Sequence, residues 1–295
     1  DRYVYDNQTE IGRGIAGFNT GWSVRCLETI EGCTDSLAIN DTYDPLANTN
    51  DGSCEYPDNG DYSLSFDGDD DYVDLNTLPT QFNDNDGFTF CTWFKSNWLT
   101  AGNDWENIIF SITSAGGIND ENIFRIGVTS NGDLWYEFND GPDFVYNVNG
   151  NGYNDNQWHY LVITRSSGVS ETTLNLYVDN FPIFNTNSLI EFNIGYYFLL
   201  GGEVDNGVIG DFFNGYIDKT HFWNRELSQE EIQSYMSIPP TGDESNLVAY
   251  YKFNAGEGDI LYDHSGNSNH GTISSATWST DVPPIPGCTH PNATN

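Results

Sequence analysis

The 295-residue sequence has few positive charges: 9 Lys and Arg residues stand against 44 Asp and Glu residues, and the formal net charge is −35. Nucleic-acid binding requires a basic surface that displaces counterions, and so few cations cannot build one. An anionic membrane surface would repel the same charge. The sequence also lacks any run of about 18 apolar residues, the length a transmembrane helix needs. We therefore expect no nucleic-acid partner and no membrane insertion.

The sequence lacks a starting Met and a signal peptide, since it opens at Asp1. We expect a processed product or a piece of a longer protein. Hydrophobic residues make up 37% and aromatic residues 15% of the chain, which is enough for a sizeable core. Excess negative charge destabilises a compact chain unless counterions bind it. Ca²⁺ is the natural counterion because it takes oxygen ligands.

Cysteine is scarce, with five residues, and none has a zinc-type spacing. Cys33 and Cys54 bracket a polar segment that has little to bury, so we expect a disulfide between them, which contributes about 3 kcal/mol on the loop-entropy model. Cys91 lies in an alternating strand pattern and is expected to be a buried free thiol. Cys26 and Cys288 remain open: they pair with each other, or each has its partner outside this sequence.

A nine-residue pattern occurs twice, at residues 32–40 and again at 287–295. The two copies share Gly, Cys, Thr, Ala and Asn at identical spacing. This repetition predicts a tandem array of modules in which the second connector is incomplete.

Residues 32–56 resemble a short Cys-bounded repeat found between the domains of large Bacteroidetes surface proteins. The motifs that carry this resemblance are Gly32-Cys33-Thr34-Asp35 and Asp51-Gly52-Ser53-Cys54. The ending Gly21-Trp22-Ser23-Val24-Arg25-Cys26 is similar to the last strand of a paralogous domain in the same bacteria. These resemblances imply a secreted or cell-surface protein with three flanking parts. They are the tail of an upstream domain over 1–30, a connector over 31–57 and the start of a second connector over 281–295.

Residues 58–280 show strand after strand, with β-branched and aromatic runs such as Phe88–Trp93. Asn131-Gly132 predicts a type I′ hairpin turn, and Asp179-Asn180 predicts a second hairpin. One helix is expected after the capping box Ser228–Glu231. About a dozen strands with Asx and Gly turns predict an all-β fold, an antiparallel sandwich of two sheets with one short helix.

The same region resembles the concanavalin A-like, laminin G-like jelly roll. Its motifs occur in the expected order, at Leu64–Val73, Trp158-His159, Leu176–Asp179, Gly215–Ile232 and Asp263–Gly271. The turn Asp179-Asn180 departs from the Asn-Gly usual in the family. The resemblance implies a jelly roll over 58–280 and a calcium ion on the rim of the sandwich.

Two segments are chemically suited to that calcium ion. The first crowds four carboxylates into five residues, which is unfavourable unless a cation neutralises them; they are Asp67, Asp69, Asp70 and Asp71. The second offers side-chain oxygens from Asp263, Asn267 and Asn269. The resemblance implies that both segments lie near each other at the sheet ends, so we expect one shared site. The alternative interpretation is a solvated acidic turn.

Four aromatic residues are candidates for stacking on sugar rings, with packing in the core or rim as the alternative. They are Trp98, Trp105, Trp135 and Tyr136.

The jelly roll also hosts glycosidases, which need two carboxylates that flank one bond. In this fold they stand on one strand in the order Glu-x-Asp-x-Glu or Glu-x-Asp-x-x-Glu. Glu203-Val204-Asp205 begins such a motif, but Gly207 and Val208 occupy the places of the last Glu. We therefore expect no catalysis.

Three functions remain. The leading hypothesis is a non-catalytic, calcium-dependent adhesion or binding module of a large tandem-repeat surface protein. Its partners would be a glycan or protein ligand on a cell or polymer surface, and the neighbouring modules of the same chain. The alternatives are a carbohydrate-binding module that targets a polysaccharide and a structural subunit of an extracellular filament or array.

Overall fold

The computed structural model of the chain describes residues 2–4, 11–13, 28–39, 41–75, 77–82, 86–97, 107–113, 122–138, 144–146, 152–168, 172–188, 197–205 and 207–284. The chain divides into two compact units, Asp1–Glu55 and Tyr56–Asn295. Four residues that the sequence analysis singled out lie outside the described residues: Cys26, Trp98, Trp105 and Cys288. The second copy of the repeat also lies outside them.

The first unit contains two small strand pairs. β1 (Arg2–Val4) pairs antiparallel with β2 (Ile11–Arg13), and β3 (Glu31–Gly32) pairs parallel with β4 (Thr49–Asn50). The predicted disulfide between Cys33 and Cys54 is confirmed. Aspartate side chains accept hydrogen bonds from backbone N–H groups two residues further along the connector, as Asp51 does from Ser53 at 2.9 Å. This polar segment therefore satisfies part of its own backbone through Asx-turns.

The regular structure of the second unit is almost entirely β-strand in the described residues, as predicted. Its strands are β5 (Ser63–Asp67), β6 (Tyr72–Asp74), β7 (Phe88–Ser96), β8 (Ile108–Thr113), β9 (Asn122–Val128), β10 (Leu134–Phe138), β11 (Phe144–Tyr146), β12 (Trp158–Arg165), β13 (Thr172–Val178), β14 (Phe181–Ser188), β15 (Tyr197–Leu200), β16 (Glu203–Asp205), β17 (Val208–Gly210), β18 (Asn214–Trp223), β19 (Leu247–Tyr251), β20 (Ile260–Leu261), β21 (Gly271–Ser274) and β22 (Thr277–Ser279). A 3₁₀ turn covers Leu78–Gln81 and the helix α1 covers Gln229–Ser237.

Two large antiparallel sheets form a sandwich. Sheet I has the order β11-β10-β9-β8-β15-β6-β21-β20, and sheet II has the order β14-β13-β12-β7-β18-β5-β22, with β19 also paired to β18. Strands β16 and β17 form a separate hairpin. The all-β sandwich predicted from the sequence is confirmed.

The main core lies between the sheets and is rich in phenylalanine. Phe90 of β7 stacks on Phe110 of β8 with ring centroids 4.2 Å apart, and both rings are buried. A second hydrophobic cluster lies under α1 and contains Trp93, Tyr160 and Ile232. Cys91 belongs to this cluster and is a buried free thiol, as predicted. Sheet II is therefore covered on both faces.

The turns and the helix follow their local signals with one correction. Asp179 and Asn180 both have positive φ, at 51° and 66°, as a two-residue primed turn requires. The hairpin at Asn131-Gly132 forms, but of its two central residues only Gly132 has positive φ, so the predicted type I′ turn is wrong. The loop closes instead with a bond from the Gly132 N–H to the Thr129 carbonyl. The capping box of Ser228 and Glu231 is confirmed.

In the described part of the chain, no helix has the length and apolar composition needed to cross a bilayer.

Candidate functional site

Three acidic side chains meet in the turn between β5 and β6. Carboxylate oxygens of Asp67, Asp70 and Asp71 all lie within 4.8 Å of one another, and we call these three residues the acidic group. The turn is held by its own carboxylates: the Asp67 N–H donates to Asp71 Oδ2 at 2.7 Å, and the Asp69 N–H donates to Asp67 Oδ1 at 2.9 Å. Of the four predicted aspartates, the structure thus brings three together, and Asp69 contributes its backbone.

The electrostatics of the acidic group favour a bound cation. Burial raises the pKa of Asp71, and the charges of Asp67 and Asp70 raise it further. Three carboxylates at this separation repel one another, and a divalent cation between them would remove that repulsion. Carboxylate oxygens are the ligands that Ca²⁺ prefers, so the donor set fits calcium. Asp67 and Asp70 are exposed, which leaves the group open to solvent.

The second predicted calcium segment has a different role. Asp263 is fully buried and is not a member of the acidic group. Its Oδ1 accepts bonds from the N–H groups of Tyr250 and Ser265, both at 2.8 Å. Its Oδ2 accepts from the Ser265 hydroxyl at 2.8 Å and from the Asn269 N–H at 2.9 Å. These bonds tie Asp263 into its own loop, and the structure does not bring it together with the acidic group as the sequence analysis expected.

The two asparagines of that segment also bind backbone. The side-chain amide of Asn267 donates to the carbonyl groups of Leu247 and Val248, and the amide of Asn269 donates to that of Val248. These bonds attach the loop to β19, which pairs with β18 of sheet II. Asn267 and Asn269 therefore hold the loop in place.

The predicted stacking residues on β10 are buried. Trp135 is 0% exposed and Tyr136 is 2% exposed, so neither ring offers a face to a sugar. Tyr136 packs on Phe184 in the main core with centroids 4.7 Å apart, and Trp135 lies under the guanidinium of Arg125. Successive residues of β10 face opposite sides of sheet I, and both sides are covered at this position.

Two partly exposed rings that the sequence did not single out are linked to the acidic group through the chain. Tyr72 follows Asp71 directly, and its ring stacks on Phe212 with centroids 6.5 Å apart and an interplanar angle of 28°. The hairpin β16–β17 lies against this corner, because a Cβ on Gly202 would stand 3.5 Å from the Phe212 ring. Strand alternation was the available signal for Tyr72, because its neighbour Val73 in β6 is buried and successive strand residues face opposite sides. Phe212 lies between β17 and β18, outside any strand, and had no such signal.

The first acid of the glycosidase-like motif, Glu203, lies in a cluster of Arg125 with acidic side chains. Glu203 Oε1 lies 2.5 Å from Arg125 Nη1, and Arg125 also bonds with Glu137 and lies 3.7 Å from Asp211. Burial, together with the neighbouring Asp211, raises the pKa of Glu203 to about 9, although Arg125 opposes this shift. The Glu203 side chain is only 1% exposed, so it is not presented to a substrate.

The strand that carries Glu203 also ends too early for that motif. β16 stops at Asp205, and Val208 on β17 pairs back with Asp205. Gly207 and Val208, where the last acid of the motif would stand, therefore lie in the turn and on the returning strand. The chain does not present three carboxylates along one continuous strand here.

Comparison with known proteins assigns the fold. The family described as the concanavalin A-like lectin/glucanases superfamily (Laminin_G_3) matches residues 67–233, more than half of the chain. A proposed carbohydrate-binding protein from Bacteroides ovatus is 15% identical, with a TM-score of 0.53, over 78% of this chain and 62% of that protein. The chain thus spans less than two thirds of that protein's length.

Two further solved structures are less similar. A heptameric SAP-like pentraxin from Limulus polyphemus is 17% identical over 61% of this chain and 85% of that one, with a TM-score of 0.45. The CBM40 module of the Ruminococcus gnavus IT-sialidase, bound to alpha2,3 sialyllactose, is 15% identical over 58% of this chain and 95% of that one, with a TM-score of 0.43. No curated protein matches the sequence.

Proposed function

The chain belongs to the concanavalin A-like lectin/glucanases superfamily, and we propose that it is a non-catalytic, calcium-dependent binding module that recognises a glycan on a cell or polymer surface. The observation that carries this proposal is the corner where the acidic group adjoins the rings of Tyr72 and Phe212. We call these five residues the rim site.

The rim site combines two kinds of sugar recognition. Asp67, Asp70 and Asp71 would hold the calcium ion, which supplies positive charge and coordination positions for hydroxyl groups. Tyr72 and Phe212 offer partly exposed aromatic faces, which suit the apolar C–H surface of a sugar ring. Neither element needs a nucleophile or a general acid, and the burial of Glu203 supports a binding role without hydrolysis.

The disulfide-bonded connector supports an extracellular location. Disulfides such as Cys33–Cys54 are common in secreted and cell-surface proteins and rare in the reducing cytosol. Extracellular fluids also supply the calcium that weak, exposed carboxylate sites need. We therefore place the module in a surface protein with tandem repeats, where binding at the rim site serves adhesion.

A glycan array in the presence of millimolar Ca²⁺ tests this proposal. We expect binding to a defined set of glycans that EDTA abolishes and that Asp70→Asn and Tyr72→Ala each weaken at least tenfold. Glu230→Gln, which removes one exposed negative charge from α1, is the matched control and should bind as the unaltered protein does. Binding that survives both EDTA and Asp70→Asn would contradict the calcium-dependent site.

The same array distinguishes surface-glycan recognition from the second candidate function, which is a module that targets a polysaccharide. The stacked rings of Tyr72 and Phe212 favour this candidate because they offer a platform for a chain of sugars. Retention on insoluble polysaccharide without binding to short surface glycans would select it. Hydrolysis of any arrayed glycan, lost in Glu203→Gln, would show that the module is an enzyme.

A further inference from the structure

The outer face of sheet II carries a pocket away from the acidic group. Helix α1 covers the second hydrophobic cluster, but a cavity of about 250 Å³ remains between the end of the helix and Pro283. We call it the outer-face pocket. Trp93, Tyr160 and His221 form its floor, and Tyr235 of α1 forms a wall. The cavity is smaller than the 300–1,000 Å³ typical of pockets for drug-sized ligands, so it suits a single ring.

A β-bulge places Lys219 at the edge of this pocket. Asp218 faces Trp93 and His221 faces Cys91 across the β18–β7 ladder, so β18 carries one extra residue between the two pairs. Lys219 occupies this bulge with φ at 46°, a conformation unfavourable for a residue with a side chain. Bulges of this kind redirect a side chain, and strained residues concentrate at functional sites.

The surrounding structure is built to hold the bulge. Asp218 is fully buried, and its Oδ1 accepts a bond of 2.7 Å from the Lys219 N–H, which lacks the usual ladder partner. Its Oδ2 lies 3.2 Å from the Lys219 ammonium. Asp61, at the rim of the pocket, lies 4.0 Å from the same ammonium. Lysine therefore stands in a strained position, held by a buried carboxylate, where glycine would fit without strain.

The floor of the pocket is polar but uncharged. The Trp223 indole N–H donates to His221 Nδ1 at 2.8 Å, so the other ring nitrogen carries the proton and donates to the Tyr160 hydroxyl at 3.1 Å. Burial lowers the pKa of His221 to about 3, which keeps the ring neutral. The Trp93 and Tyr160 rings are tilted by 43° to each other, with centroids 5.2 Å apart.

The charges at the rim select a neutral ligand. An anion would have to displace two carboxylates from Lys219 and approach a protein of net charge −35. A cation would meet the Lys219 ammonium and would have to compete with it for the two carboxylates that it already pairs with. Lys219 and Asp61 together offer a hydrogen-bond donor beside an acceptor, which matches hydroxyl groups that can serve as both.

We propose that the outer-face pocket binds one neutral sugar ring. The apolar face of the ring packs against the partly exposed side chains of Tyr235 and Met236, and its hydroxyl groups bond with Lys219 and Asp61. This second site goes beyond the proposed function, because it contains none of the acidic group and its binding should not depend on calcium.

The single methionine of the sequence gives a direct test, because Met236 lines the pocket. Protein labelled with ¹³C-methyl methionine is titrated, in EDTA, with the methyl glycosides of glucose, galactose, mannose and fucose. We expect at least one glycoside to shift the Met236 methyl signal in a saturable way. Cyclohexanol serves as an apolar ring without the hydroxyl pattern and should leave the signal unchanged.

Lys219→Gly separates recognition from folding. Glycine relieves the strain at positive φ but leaves the buried Asp218 carboxyl without its ammonium partner, so the Tm of this variant is measured first and binding is compared at a temperature where it is folded. The variant should bind the glycoside at least tenfold more weakly, because it loses the ammonium at the rim. Lys252→Ala removes a lysine that lies over Tyr250, outside the pocket, and should bind normally.

Three outcomes would overturn the inference: no glycoside shifts the signal, Lys219→Gly binds as tightly as the unaltered protein, or cyclohexanol binds and no glycoside does. Asp70→Asn distinguishes the rim site from the outer-face pocket, because this substitution should leave the methionine titration unchanged. If the unaltered protein shows no calcium-dependent binding on the glycan array but gives a normal titration, the proposed function is rejected and the pocket is retained.

Discussion

Glu203 shows how strongly one side chain depends on distant parts of the chain. Its carboxyl lies beside Arg125 of β9 and Asp211, which follows β17, and the protein buries all but 1% of its side chain. Burial and Asp211 raise its pKa to about 9, so in the folded protein it holds a proton at neutral pH. In the unfolded chain its pKa is near 4.5 and the proton is released.

This difference predicts a pH-dependent stability. Between pH 4.5 and about 9 the folded state binds one proton more than the unfolded state, so the contribution of Glu203 falls as pH rises. One proton corresponds to a slope of about 1.4 kcal/mol per pH unit. The free energy of unfolding of Glu203→Gln, measured with urea at several pH values, should lack this slope, which the unaltered protein should show. Glu230→Gln should keep it, and equal slopes in all three proteins would contradict the assignment.

At the residue scale, the sequence predicted the state of a side chain where its close neighbours along the chain decide that state. It failed where the contacts come from distant parts of the chain. The free thiol of Cys91 and the disulfide of Cys33 follow from their immediate neighbours, and both are confirmed. Trp135 is buried because Arg125, on the neighbouring strand of sheet I, lies over its ring and because the rest of the fold covers it. No pattern within β10 distinguishes such a buried ring from one exposed on the rim.

The loop that follows β20 acts as one element, and Asp263 is its centre. Its carboxylate accepts bonds from the backbone of Tyr250, Ser265 and Asn269. The side chains of Asn267 and Asn269 complete the attachment to β19. The sequence motif was correctly identified, but its oxygens and amides serve the backbone, which the residue types alone could not reveal.

Asp263→Ala should therefore destabilise the protein to the same extent with and without calcium. The substitution leaves three backbone N–H groups without their acceptor, two of them buried, and a loss of about 3 kcal/mol or more is expected. Asp259→Ala, at an exposed position nearby, should change the free energy of unfolding by less than about 0.5 kcal/mol. Urea unfolding in EDTA and in millimolar Ca²⁺ measures both. If Asp263→Ala lowers the free energy of unfolding only in the presence of Ca²⁺, Asp263 is a calcium ligand after all.

Elements with a local signal formed as expected, and the irregular ones were missed. Ser228 and Glu231 start α1 through a capping box that is visible in the sequence. The bulge at Lys219 depends on a buried carboxylate and on the register between β18 and β7. A lysine in the middle of a strand pattern carries no such information, so the outer-face pocket becomes visible only in the folded chain.

At the scale of the whole molecule, fold and charge have different origins. Alternating strands with Asx and Gly turns were sufficient to predict the two-sheet sandwich, because each strand must bury one face. The charge of −35 is spread over the sequence and has no effect on topology. It does make the compact state repel itself, and the effect is strongest where the acidic group gathers three carboxylates within 4.8 Å.

Calcium should stabilise the whole second unit through this group. At a free Ca²⁺ concentration about 100 times Kd, the native state gains about 2.7 kcal/mol, which corresponds to several degrees in Tm. Calorimetry should show this rise between EDTA and millimolar Ca²⁺, a much smaller one with Mg²⁺, and little change in Asp70→Asn. Glu230→Gln removes the same charge elsewhere and should keep the full response.

Sodium chloride distinguishes a bound ion from general screening. The Debye length at physiological ionic strength is about 8 Å, longer than the 4.8 Å that separates oxygens of the acidic group, so monovalent salt screens that repulsion poorly. Adding salt should raise Tm by a similar amount in the unaltered protein and in Asp70→Asn, because it acts on the distributed charge. If salt alone reproduces the calcium response, or Asp70→Asn retains that response in full, the acidic group is a solvated turn and the rim site loses its metal.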